Sequence, residues 1–170
     1  LDRLRTEVVN GTLKIYYDRK GITWKTDNRK LRAYVSFKTL EKLSASSGSD
    51  VTVNGSIRAD NLDLNVSSGA GFKGEISVKE LSANVSSGAA LKITGNADKL
   101  TVDASSGADF KGYDFTVDYC NASASSGAGV HVTINKELSA KASGGGDIRY
   151  KGTALIRDIK TSGGGAVKKA

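Results

Sequence analysis

Six basic side chains return at nearly constant intervals along this chain: Lys73, Lys92, Lys111, His131, Arg149 and Lys168. A periodic row of cations suits an anionic polymer, because each repeat of the ligand meets a fresh charge. The row also has a cost. Like charges on neighbouring strands repel, and outward lysines serve solubility and discourage edge pairing as well as binding. Carboxylates form the second group. Asp50, Asp109 and Asp147 share one position of the same period. Two carboxylates hydrolyse a glycosidic bond when they stand ~5.5 Å or ~6.5–9.5 Å apart. Asp109 and Asp147 are separated by two repeats, with Gly129 between them, or roughly 9–10 Å at strand spacing. That is at or past the limit for such a pair, and aspartate beside glycine is an ordinary turn residue. His131 is the only histidine and Cys120 the only cysteine. Neither a disulfide within the chain nor a clustered Cys/His zinc site follows from them. Gly144-Gly145-Gly146-Asp147 matches a fragment of a calcium-binding nonapeptide, but one copy makes no site. No catalytic residue, metal site or cofactor is expected.

These positions are set by an internal repeat. Ser-Ser-Gly-small recurs at Ser46–Ser49, Ser67–Ala70, Ser86–Ala89, Ser105–Ala108 and Ser125–Ala128, with glycine-rich variants at Ser143–Gly146 and Ser162–Gly165. Taking the third residue of each as origin, the glycines are 48, 69, 88, 107, 127, 145 and 164, spaced 18 to 21 apart. Aligned columns alternate. Three places after the glycine stand Val51, Phe72, Leu91, Phe110, Val130, Ile148 and Val167; the next place holds Thr52 and the six basic residues. Seven places before it stand Leu62, Leu81, Leu100, Cys120 and Leu138, and five places before it another apolar column from Leu43 to Ile159. Period two on both sides of a glycine turn marks strands with one buried face. A single repeat cannot bury that face alone, whereas stacked repeats can, each strand pairing in parallel with the one above.

The expectation is an all-β chain: a single-stranded right-handed parallel β-helix, or β-solenoid, of about seven coils of 18–21 residues. Each coil reads as strand, tight glycine turn, strand and second turn. At ~4.8 Å per coil the rod is very roughly 40 Å long. Volume is balanced within each coil. Phe72 and Phe110 are followed two places on by Gly74 and Gly112, while Val51, Leu91 and Val130 are followed by Val53, Ile93 and Val132. The serines just before the reference glycine (Ser47, Ser68, Ser87, Ser106, Ser126) have inward parity and read as an internal hydroxyl ladder. Residues 1–170 read as one domain, with 1–40 as an irregular N-terminal cap and 41–170 as the repeats. Within the cap, Val8–Ile15 reads as a hairpin around Asn10-Gly11. Leu31, Ala33, Val35 and Phe37 alternate as a strand leading into the first coil, and Trp24, Tyr16, Tyr17 and Tyr34 fall in the same segment.

Composition agrees. Glycine is 20 of 170 residues without a G-X-Y period, and proline is absent, which excludes collagen and argues against disorder. No apolar run is long enough for a membrane-spanning helix. The net charge of +7 favours anionic partners, but the N-terminal basic residues Arg3, Arg5, Lys14, Arg19, Lys20, Lys25, Arg29, Lys30 and Arg32 are dispersed among apolar ones. No nucleic-acid motif is present and no nucleic-acid partner is expected. The chain opens at Leu1 without methionine, so a removed targeting segment is expected upstream.

The Ser-Ser-Gly-Ala coils, preceded by Asn10-Gly11-Thr12-Leu13-Lys14-Ile15, resemble the head GIN domain family, autotransporter-adhesin-like proteins of Gram-negative envelopes whose function is formally unknown. The resemblance spans nearly the whole chain. It implies a β-helix exported to the periplasm or cell surface, behind a signal or lipoprotein peptide, with further β segments upstream. It supplies no catalytic residues. The expected function is therefore a non-enzymatic, structural or adhesive envelope module. Its partner would be an anionic glycan or another envelope component, met through Lys73, Lys92, Lys111, His131, Arg149 and Lys168. The alternatives are a polysaccharide-acting β-helix enzyme and a self-assembling scaffold, because open solenoid ends permit end-to-end or side-by-side association.

Overall fold

A computed structural model of the chain describes residues 4–18 and 31–170; Trp24 and the bases Arg3, Arg19, Lys20, Lys25, Arg29 and Lys30 lie outside the described residues. Two compact units are present, Leu1–Lys38 and Thr39–Ala170.

The first unit contains strands β1 (Leu4–Val9) and β2 (Thr12–Tyr17), paired antiparallel with Val9 opposite Thr12. Asn10 and Gly11 turn the chain with φ of 50° and 75°, the two left-handed residues a two-residue hairpin needs. Residues 31–37 differ from expectation. They alternate in sequence but form no strand, and Leu31, Tyr34, Val35 and Phe37 are all exposed. Alternation favours an extended backbone, but a strand also needs a partner to satisfy its amides, and this segment has none among the described residues.

The second unit is a β-solenoid. Its strands are β3 (Lys42–Ala45), β4 (Asp50–Val66), β5 (Gly71–Val85), β6 (Ala90–Ala104), β7 (Asp109–Ser125), β8 (Gly129–Ser143), β9 (Asp147–Gly152), β10 (Leu155–Thr161) and β11 (Ala166–Lys169). Each pairs in parallel with its counterpart one coil away, in the order β3-β4-β5-β6-β7-β8-β9-β11, with β10 also on β8; the coils number about seven. Val51, Phe72, Leu91, Phe110, Val130, Ile148 and Val167 are register partners in one unbroken column. The leucine column behaves the same way, and Leu62, Leu81, Leu100, Cys120 and Leu138 are all buried.

The second turn of a coil is a bend within one continuous strand in β4 to β8 and the break between β9 and β10 further on. Gly55, Gly95 and Gly152 make it with φ near +100°, and at Gly95 a Cβ would strike the Ile76 carbonyl oxygen of the preceding coil. Where glycine follows phenylalanine the reason is volume. A Cβ on Gly112 would lie 2.7 Å from the Phe110 ring, and one on Gly74 would lie 3.3 Å from the Phe72 ring, so each phenyl fills space that Ile93 or Val132 fills elsewhere.

The serine ladder is not internal. Ser47, Ser68, Ser87, Ser106 and Ser126 are exposed, with φ between 51° and 56°. Each begins a two-residue turn closed by a bond such as Ala70 N–H to Ser67 O (3.1 Å). Two successive left-handed residues break the alternation on which the parity count relied. The residue sent inward is the next one: Ala70, Ala89, Ala108 and Ala128. The turns are tied along the axis by backbone bonds, Gly69 N–H to Ser87 O and Gly88 N–H to Ser106 O, both 3.0 Å.

Candidate functional site

The basic column emerges as drawn from the sequence. Lys73, Lys92, Lys111, His131, Arg149 and Lys168 are register partners through six consecutive coils. They sit outward because Phe72, Leu91, Phe110, Val130, Ile148 and Val167, one residue earlier, point in. The aspartates two places upstream alter the electrostatics. Lys111 Nζ lies 3.7 Å from Asp109, and Arg149 Nε donates to Asp147 at 2.7 Å. At Lys73 and Lys92 that upstream position is held by Gly71 and Ala90. These two lysines have no carboxylate partner among the described residues, and they are one coil apart.

Asp109 and Asp147 are thus each engaged with a base of their own coil, two coils from one another with Gly129 between. Asp50 lies further away and folds over Gly71. The three carboxylates are not brought together, and no cluster of His, Cys, Asp or Glu that could hold a metal occurs among the described residues. His131 is half-buried rather than freely solvated, with its ring 5.0 Å from that of Tyr113. Lys151 Nζ sits 4.4 Å from the Tyr113 ring centroid, and Thr133 donates its hydroxyl to the Tyr113 carbonyl oxygen at 2.8 Å. Tyr113 and Lys151 therefore extend the cationic face sideways. The sequence marks them only by an outward position two places beyond the basic column. Cys120 is buried, and burial pushes its thiol up to about 12, so it is a packing residue and not a nucleophile.

A second surface feature does not follow from the period-two repeat. Nine and eight places before each reference glycine, two successive residues face outward: Asp60-Asn61, Lys79-Glu80, Asp98-Lys99, Asp118-Tyr119 and Lys136-Glu137. Here the ladder skips a residue at a corner. Beside that corner a shallow trough runs from coil to coil, with hollows of about 200 and about 370 Å³ that share Lys99 and Thr101. Its charges are largely paired, Lys99 with Glu80 at 3.0 Å and Arg157 with Glu137 at 2.6 Å. Next to it Lys79 pairs with Asp60 at 2.8 Å and Lys136 with Asp118 at 2.7 Å. The bonds to Lys136 and Arg157 hold Asp118 and Glu137 below the usual carboxylate range, and the carboxylates Asp60, Asp118 and Glu137 hold Lys79, Lys136 and Arg157 above their ordinary values.

A parallel β-solenoid with an outward basic column, and no acid pair assembled among the described residues, defines the class as a repeat scaffold. The sequence profile of the family described as "Putative auto-transporter adhesin, head GIN domain" matches residues 1–154, and the chain belongs to that family. Among solved structures, the chain is similar to a "putative adhesin" from Parabacteroides merdae ATCC 43184 (TM-score 0.71, 18% identity, 99% of this chain and 78% of that one). It is also similar to a "Putative lipid binding protein" from Parabacteroides distasonis ATCC 8503 (TM-score 0.60, 23% identity, 99% and 79%). At these identities the likeness concerns the fold. No curated protein matches.

Proposed function

We propose that this chain is a non-enzymatic adhesive module of the bacterial envelope that holds an acidic glycan along its basic column. One observation carries this reading: six basic side chains, five of them Lys or Arg, stand in strict register, and two adjacent ones, Lys73 and Lys92, lack any carboxylate partner among the described residues. Neighbouring like charges oppose folding, and a polyanion laid across them removes that repulsion as it binds. Family membership supports an exported, surface-facing role, with the chain held in the periplasm or at the cell surface. The name of the lipid-binding neighbour is compatible with the same chemistry, because acidic glycans and lipid headgroups both present anions. The test is an array of acidic and neutral glycans probed at about 50 and about 500 mM salt. The expected result is retention of acidic glycans at low salt, loss at high salt, and loss at low salt in the Lys73→Glu/Lys92→Glu variant. Acidic-glycan binding that ignores both salt and the double variant contradicts the reading.

A further inference from the structure

The trough beside the corner is lined differently from the basic face. One wall carries Asn61, Glu80, Lys99 and Tyr119 in register, and the other carries Asp63, Ser82, Thr101, Asn121 and Ser139 in register. Between the walls the alternate residues, Leu81, Leu100 and Cys120, point into the core, so the floor is sheet backbone. Every wall residue offers a donor or acceptor at the coil repeat. The trough's cations are neutralised, Lys99 by Glu80 and, one coil beyond Tyr119, Arg157 by Glu137, while Asp63 at one end has no ion pair among the described residues. Tyr119 is 42% exposed, the one aromatic of the solenoid unit that stands so far out of the core. Lys136 Nζ is 5.5 Å from its ring centroid, which helps fix the ring's position.

From this arrangement we infer that the trough is a second binding site, for a neutral linear glycan lying parallel to the solenoid axis. A polyhydroxylated chain needs neutral hydrogen-bonding partners at regular spacing, together with an exposed ring against which the C–H face of a sugar can pack. The trough supplies both, and it lacks the unpaired charge that a polyanion would seek. From Asn61 to Glu137 the wall covers four coil steps, ~19 Å at strand spacing, so several sugar units engage at once and affinity rises with chain length. The site is independent of the basic column.

The experiment titrates the full chain with hexasaccharides of β-glucose, β-mannose and N-acetylglucosamine, and with the matching monosaccharides, following backbone amide shifts by NMR. The expected result is that at least one hexasaccharide shifts the amides of Ser82, Thr101 and Asn121, while its monosaccharide binds about tenfold more weakly or worse. Tyr119→Ala and Asn121→Ala, both at exposed positions where folding is preserved, each weaken binding by about tenfold or more. Binding stays unchanged in Lys73→Glu/Lys92→Glu and between about 50 and about 500 mM salt, which separates this site from the basic face. If no hexasaccharide shifts these amides, or if binding survives Tyr119→Ala, the inference is overturned. Neither outcome bears on acidic-glycan binding by Lys73 and Lys92.

Discussion

Replacing Phe110 and Gly112, singly and together, probes the packing rule that runs through every coil. Phe110 is fully buried and its ring occupies the space in which a Cβ on Gly112 would stand, 2.7 Å from ring atom Cε1. Phe110→Leu removes about three carbons, or about 2 kcal/mol at ~0.8 kcal/mol per buried methylene, before any cavity cost. Gly112→Ala forces a methyl group against the ring and costs about 1–3 kcal/mol, less ~0.4–1 kcal/mol gained from a stiffer unfolded chain. Position 112 has an ordinary backbone conformation, so the main obstacle is the ring at 2.7 Å and not φ; the His131 carbonyl oxygen at 3.1 Å is a lesser one that remains in the double variant. In the double variant the methyl enters the space that leucine vacates, as Leu91 and Ile93 already share it one coil away. The double variant should therefore lose about 1–2 kcal/mol less than the sum of the singles, within the usual range for residues in contact. Urea unfolding followed by far-UV circular dichroism measures this, with Tm moving about 2–4 °C per kcal/mol as a second readout. Additivity within ~0.5 kcal/mol would refute the claim that ring and glycine share one volume.

Glycines at the two kinds of bend should respond unequally. Gly95→Ala meets the Ile76 carbonyl and a strained φ of +108°, and should cost more than about 2 kcal/mol in chemical denaturation; Gly88→Ala, with nothing within 4 Å, should cost only about 1 kcal/mol. Lys73→Glu faces Lys92 across the ladder and should raise Tm while weakening acidic-glycan retention, so a Tm that falls with binding intact contradicts both expectations. The Cys120 thiol keeps its proton to higher pH when folded than when unfolded, so stability should fall as pH rises from about 9 towards about 12. The slope reaches about 1.4 kcal/mol per pH unit at most, and the comparison is with Cys120→Ala, which lacks this component. The same burial should make Cys120 react with a thiol reagent only as the protein unfolds, and prompt labelling of the native protein would count against it.

The coil register was legible because it rests on one physical requirement, an apolar residue at every second place repeated at a fixed interval. That requirement placed Phe72 over Leu91 and the six bases in one outward line. The errors came where the backbone leaves the β region. Ser68 and its equivalents have positive φ, so counting parity through the turn sent the hydroxyls inward when the alanine after them is the buried residue. The trough was hidden for a related reason. At Asp118-Tyr119 two neighbours face out, and no alternating pattern encodes a corner of that kind. The pairing of Lys111 with Asp109, and its absence at Lys73, did lie in the sequence as the identity of the residue two places upstream. It acquires meaning only once both are known to share a face. Residues 31–37 show the converse, since alternation there had no partner strand to act on.

The most direct measurement is of distance along the basic column. Spin labels at Lys73 and Arg149 are four coil steps apart, and labels at Lys73 and Lys168 five. Pulsed dipolar spectroscopy should give separations centred at roughly 19 and 24 Å, allowing for the label arms, with the increment of one ~4.8 Å step between the pairs. Separations that do not lengthen with the number of coils would mean that the bases form no continuous track, and the adhesive surface proposed for it would not exist.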